Sequence, residues 1–210
     1  MRYFTQKQSF ERIKISIRKE CSMSKKILAC LLLVCSFFPV FGEESPELRG
    51  IWITPRSGMA VWNQAEIAQA IETSAKHNFN VVYFNVWSRG WPLWRSELFH
   101  RETGFYADPV IGDRDLLEEA VEEAKKHKIH IEAWFEYGFV AWWTGNDMPQ
   151  YPKGPLFARY PEWLARKSDG SEAFPSGHTG VFYWMNHNHL QAQFFLRSEE
   201  HTSELQSRQS

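Results

Sequence analysis

Glu136 closes an alternating run, Ile129–Glu136 (IHIEAWFE). In it Ile129, Ile131, Ala133 and Phe135 face one way and His130, Glu132, Trp134 and Glu136 the other. A carboxylate at the end of such a strand can serve as a general acid, a general base or a nucleophile. It can equally be a structural partner for Arg56 or Arg89. Glu132, one pleat lower, reads as a buried polar residue. Asn85 and Trp87 hold the equivalent end of the run Phe79–Trp87, and Thr54 that of Leu48–Thr54. Around these positions the tryptophans gather. Trp91, Trp94, Trp142, Trp143, Trp163 and Trp184 fall in two long connections, and Trp62 in the first connection of the same kind. Flat rings on the rim of a cleft stack on the apolar faces of sugars while polar neighbours bond the hydroxyls. Large loops also need aromatic anchors simply to pack. Their collection on one predicted face is more telling than any single ring. Arg89, Trp91 and Trp142 are therefore candidate substrate contacts.

Other chemistry is thinly represented. His187-Asn188-His189 with His178 invites a metal reading, but no neighbouring carboxylate completes a set, so no metal is assigned. Ser176-Gly177-His178 lacks the frame of a nucleophile elbow. No glycine-rich phosphate fingerprint follows any strand, and no cofactor is expected.

The elements that must position these residues alternate. Asn63 with Glu66, and Asp115 with Glu118, repeat a helix-capping pattern. The first cap leads a stripe of Ile67, Ile71 and Ala75. The second leads Leu117, Ala120, Val121 and Ala124, with Lys125, Lys126 and Lys128 where the helix dipole favours cations. Phe79–Trp87 is nearly continuous in apolar residues, as a strand covered on both faces should be. The order strand–helix–strand–helix–strand implies parallel strands and an α/β fold. Connections after strands are long, 27 residues over 88–114 and 50 over about 137–186, whereas Lys128 alone joins the second helix to its strand. That asymmetry suits a (β/α)8 barrel, whose active site is built by the loops after the strands. An open doubly wound sheet fits the strands equally well.

The net charge of −1 over 210 residues hides a basic leader on an acidic body. Residues 1–42 carry +6 and residues 43–196 carry −6. An acidic body argues against a nucleic-acid partner. All three cysteines, Cys21, Cys30 and Cys35, precede residue 43, so the body offers no disulfide, catalytic thiol or Cys-ligated zinc. Residues 23–42, MSKKILACLLLVCSFFPVFG, read as a secretory signal peptide, and residues 1–22 as an over-long gene start. Export, to the periplasm or beyond, is expected, with no transmembrane segment after signal removal. Leu32-Leu33-Val34-Cys35 offers a lipoprotein anchor as the alternative. The tail 197–210 begins with eleven residues that a sequencing-library adapter read in frame would encode. The natural body is therefore expected to be 43–196 and to continue in a part missing from this chain.

Several stretches in this order resemble the family-10-like glycosyl hydrolases, secreted bacterial (β/α)8 barrels. They are Glu47–Ile53, Asn80–Trp87, Trp94–Leu98, Glu122–Ala124 leading into His130–Phe135, and Trp184–Asn186. The resemblance implies a carbohydrate substrate and places its contacts at strand ends, here Asn85, Trp87, Trp134 and Glu136. It also implies an Asp-Gly-x-x-x-Asp-Asp segment on the next strand, where the adapter-like tail now stands. A full barrel takes roughly 250 residues, so the expected architecture is a truncated barrel of the first three to four β/α units. The parent would be a glycoside hydrolase working by carboxylate acid/base chemistry, and the fragment itself inactive. A non-catalytic glycan-binding barrel and a metal-dependent carbohydrate deacetylase are the alternatives. The sugar and the oligomeric state are not legible.

Overall fold

The computed structural model describes residues 47–57, 63–177 and 180–208. The gene start, the signal segment with its cysteines, Trp62 and His178 lie outside the described residues. The elements in order are β1 (Gly50–Ile53), α1 (Gln64–Lys76), β2 (Val81–Ser88), β3 (Trp91–Pro92), α2 (Glu97–Thr103), α3 (Leu116–His127), β4 (His130–Phe135), β5 (Val140–Trp143), α4 (Pro155–Arg159), β6 (Phe174–Pro175), β7 (Val181–Trp184) and α5 (Leu190–Ser207).

β2 lies between β1 and β4 and runs parallel to both, with Ile53 beside Phe84 and Phe84 beside Ala133. Parallel strands need crossovers, and the two expected helices supply them. Asn63 caps α1 by accepting from the Ala65 N–H at 3.0 Å. Asp115 caps α3 through the Glu118 N–H at 2.9 Å. Lys128 ends α3 in the left-handed region, φ 56°, and the chain enters β4 two residues later. The core between sheet and helices takes Val82, Phe84 and Val86 from β2 and Ile131 from β4, against Ile67, Ile71, Leu117, Ala120 and Val121. Each of the Val, Leu, Ile and Phe side chains contributes about 1.5–3 kcal/mol on burial.

α1 packs on α3, α3 on α5, and α5 on β4. The three helices thus share one face in strand order. A doubly wound sheet carries helices on both faces; winding on one side is how the units of a (β/α) barrel are laid down. No closed barrel is present among the described residues. The opposite face is open: Trp52 stacks on Tyr83 with ring centroids 4.7 Å apart and remains 62% exposed. This corrects the reading of Glu132 as a buried polar residue. With nothing among the described residues over it, its side chain is 45% exposed and meets His130 Nε2 at 2.9 Å.

The long connections hold more order than their sequences suggest. β3 turns back antiparallel on the end of β2. After β4, a separate antiparallel sheet forms in the order β5–β7–β6. A second apolar core fills the space between these loops and α5, with Trp87, Trp91, Phe99, Trp142 and Phe195 among its members. The inward stripe of α5 begins apolar, with Ala192, Phe195 and Leu196. It then turns polar, with Glu199, Ser203 and Ser207. Along a helix that packs on a core this stripe is ordinarily apolar throughout.

Asp115 does more than cap. Its carboxylate also accepts from the Arg95 N–H at 2.9 Å and from Gln206 Nε2 at 3.2 Å. Asp115→Ala should cost about 1–2 kcal/mol, read as a lower urea midpoint with an unchanged slope. An unchanged midpoint would show that the cap is idle.

Candidate active site

Because β1, β2 and β4 are parallel and in register, their C-terminal ends form one edge. Thr54 leaves β1 there, Ser88 ends β2, and Glu136 follows β4 with its N–H on the Trp87 carbonyl at 3.2 Å. These three residues line a single cleft of about 520 Å³ together with Arg56, Arg89, Tyr137, Trp143 and Phe182. Ser88 is buried and its hydroxyl donates to Glu136 Oε2 at 3.4 Å.

Two arginines share the wall. Arg56 sits in the one-turn 3-10 helix Pro55–Ser57 directly after β1 and forms an ion pair with Asp108. Burial first, and the positive charge of Arg89 second, push the Arg56 guanidinium down to about 10, with Glu136 opposing the shift. Arg89 occupies the two-residue turn between β2 and β3. Both turn residues have positive φ, 56° at Arg89 and 85° at Gly90, the pattern of a type I′ hairpin. At Gly90 a Cβ would stand 2.1 Å from the Ala141 carbonyl oxygen, so the loop meets β5 through bare backbone. The Arg89 carbonyl accepts from Asn146 Nδ2 at 2.9 Å, and its guanidinium lies 4.2 Å over the Trp143 ring. The arrangement joins a carboxylate, a hydroxyl donor, two cations and aromatic walls at one strand edge.

The family profile of the glycosyl hydrolase-like 10 proteins matches residues 47–200. The chain belongs to the glycosyl hydrolase-like 10 family. No curated protein matches the sequence significantly. Among solved structures it is similar to a hypothetical protein from Ruminiclostridium thermocellum ATCC 27405. The two share 12% identity at a TM-score of 0.47, over 73% of this chain and 70% of that one.

Within this glycosyl hydrolase-like 10 chain, the residues expected at the site separate into three groups. Thr54, Glu136 and Arg89 come together in the cleft. Trp87, Trp91 and Trp142 are each at most 1% exposed and belong to the second core. Trp87 stacks on Phe135 and donates its indole N–H to the Val140 carbonyl at 3.1 Å. Those three rings act as anchors of the loop layer. Asn85 is buried below the rim, donating to the Trp87 carbonyl at 3.1 Å, while its Oδ1 accepts no hydrogen bond among the described residues. Trp134 stands half-buried on the side of β4 opposite the helices. Among the described histidines, His189 precedes α5 near the Trp163 ring and His187 holds Gln193 through its carbonyl. Neither lines the cleft. No group of three His, Cys, Asp or Glu among the described residues could hold a metal ion, and no helix among them is long and apolar enough to cross a membrane.

Sequence reasoning missed Ser88, Tyr137 and Phe182 and weighed Trp142 over Trp143. In a strand successive side chains point to opposite faces. Once β5 is known to be a strand, Trp142 and Trp143 must divide between core and cleft, and Trp143 takes the cleft.

Proposed function

We propose that this cleft belongs to a secreted glycoside hydrolase of barrel architecture, with a saccharide lying across Glu136. Glu136 would act as one carboxylate of the acid/base pair. The observation that carries the reading is the position of the Glu136 carboxylate, at the C-terminal edge of three parallel strands between aromatic walls. Barrel enzymes assemble their chemistry at that edge. A carboxylate there can protonate the leaving oxygen, activate water or attack the anomeric carbon, and Tyr137, Trp143 and Phe182 offer faces on which sugar rings stack. Glycoside hydrolysis ordinarily uses two carboxylates, and Glu136 is the one carboxylate lining the cleft among the described residues. The second would come from a further barrel strand following α5 in the complete gene product. Asp108 is committed to Arg56 and lines the adjoining cavity.

A non-catalytic glycan-binding role is the second reading, favoured by that single carboxylate. Sequencing the locus through residue 196 and assaying its product on bacterial wall and plant glycans separates the two. Hydrolysis predicts a downstream acidic strand and release of new reducing ends. A complete product that retains glycans and releases no reducing ends would establish binding instead.

A further inference from the structure

We infer that Arg89 makes the cleft selective for saccharides bearing an anionic substituent, a carboxylate or a sulfate. The inference rests on the reading of the cleft as a saccharide site and names the class of sugar it takes. Three observations carry it. First, the other charges of the cleft are engaged: Arg56 pairs with Asp108, and Glu136 receives the Ser88 hydroxyl. Arg89 makes no ion pair among the described residues, although it lines both the main cleft and the adjoining cavity of about 400 Å³.

Second, Arg89 is held rather than free. A non-glycine residue at φ 56° is disfavoured, yet the turn is locked by the Asn146 bond and by the contact of Gly90 with the Ala141 backbone. The ring of Trp143 then fixes the guanidinium plane. A long side chain fixed in this way loses little entropy when it binds. Third, the guanidinium presents a rigid fork of donors that matches two oxygens of a carboxylate or sulfate, which no single hydroxyl can do. A second arginine, Arg56, lines the same cleft, and the positive charge of Arg89 adds to the burial that lowers its guanidinium. An incoming oxyanion relieves that repulsion, whereas a neutral sugar leaves it in place.

The test measures binding by the full chain to uronate oligosaccharides, to their carboxyl-reduced counterparts, to sulfated oligosaccharides and to neutral ones. At least one acidic class should bind about tenfold more tightly than its neutral counterpart, and the preference should shrink as salt is raised. Preference for the uronate arm assigns a carboxylate, and for the sulfated arm a sulfate. Arg89→Met should erase the preference, and Arg89→Lys should keep part of it through charge alone. Equal binding of acidic and carboxyl-reduced forms, binding confined to neutral glycans, or no binding by any acidic member would overturn the proposal. Survival of the preference in a folded Arg89→Met protein would do the same. Should that variant fail to fold, the comparison of ligands on the unaltered chain decides. Acidic binding without bond cleavage would sink the hydrolase reading and leave this one standing. Cleavage of neutral glycans alone would do the reverse.

Discussion

Glu136→Gln should lower the rate of glycan cleavage by the complete gene product by about 10²–10⁴-fold, the usual weight of a positioned acid/base group. The substitution is chosen for what it keeps. An amide oxygen can still accept from the Ser88 hydroxyl, and the side-chain volume and the backbone bond to the Trp87 carbonyl are unaltered. What disappears is the ability to gain or lose a proton and the negative charge facing two arginines. The loss should therefore appear in kcat, with KM moving little, because stacking on the aromatic walls is untouched. The melting temperature should shift only slightly. A variant with unchanged turnover removes Glu136 from the mechanism. One that loses binding and folding together assigns it a structural role beside Arg56 and Arg89.

The parallel frame was legible because it rests on local physics. Asn63 and Asp115 announce their helices by capping chemistry, and the Ile129–Phe135 alternation states which side of β4 is buried. The rim follows from these: strands that run the same way end on the same edge, so Thr54 and Glu136 had to share it. The tryptophans were harder. Trp87 and Trp142 have the same composition signature as Trp143, and only the tertiary packing of two loops decides which ring is a pillar and which is a wall. The second sheet was hidden by length, since β6 consists of Phe174 and Pro175 alone and carries no periodicity. Arg89 was named as a candidate, but its orientation depends on the Arg89-Gly90 hairpin, which departs from the Asn-Gly and Asp-Gly pairs that mark such turns. Glu132 failed as a buried residue for a different reason. Alternation tells which face a side chain takes, but not whether that face is covered.

The polar half of the α5 stripe leads to the last expected result, a stability that falls as pH rises through the weakly acidic range. Glu199 is fully buried, and both its carboxylate oxygens receive the Ser96 hydroxyl, at 2.7 and 2.8 Å. Burial pushes its carboxyl up from 4.5 to about 7, only partly opposed by Ser96, by the Phe99 N–H and by the charge of Arg101. Below pH 4.5 the group is protonated in both folded and unfolded chains, so its stabilising contribution is complete. Between 4.5 and about 7 the folded chain holds a proton that the unfolded chain has released, and each step upward in pH favours unfolding. Above 7 both forms are ionised and the loss is complete, at about 3 kcal/mol. Glu199→Gln keeps an acceptor for Ser96 and cannot ionise. Its melting temperature should stay level from pH 5 to pH 8 while that of the unaltered chain drops by roughly 6–12 °C relative to it. Parallel curves for the two proteins would mean that Glu199 is solvated and that α5 does not seat against α2 as described. Beyond Leu196 the buried stripe consists of Glu199, Ser203 and Ser207. An apolar side chain placed at position 199 should stabilise the helix most at alkaline pH, where a buried carboxylate is most costly.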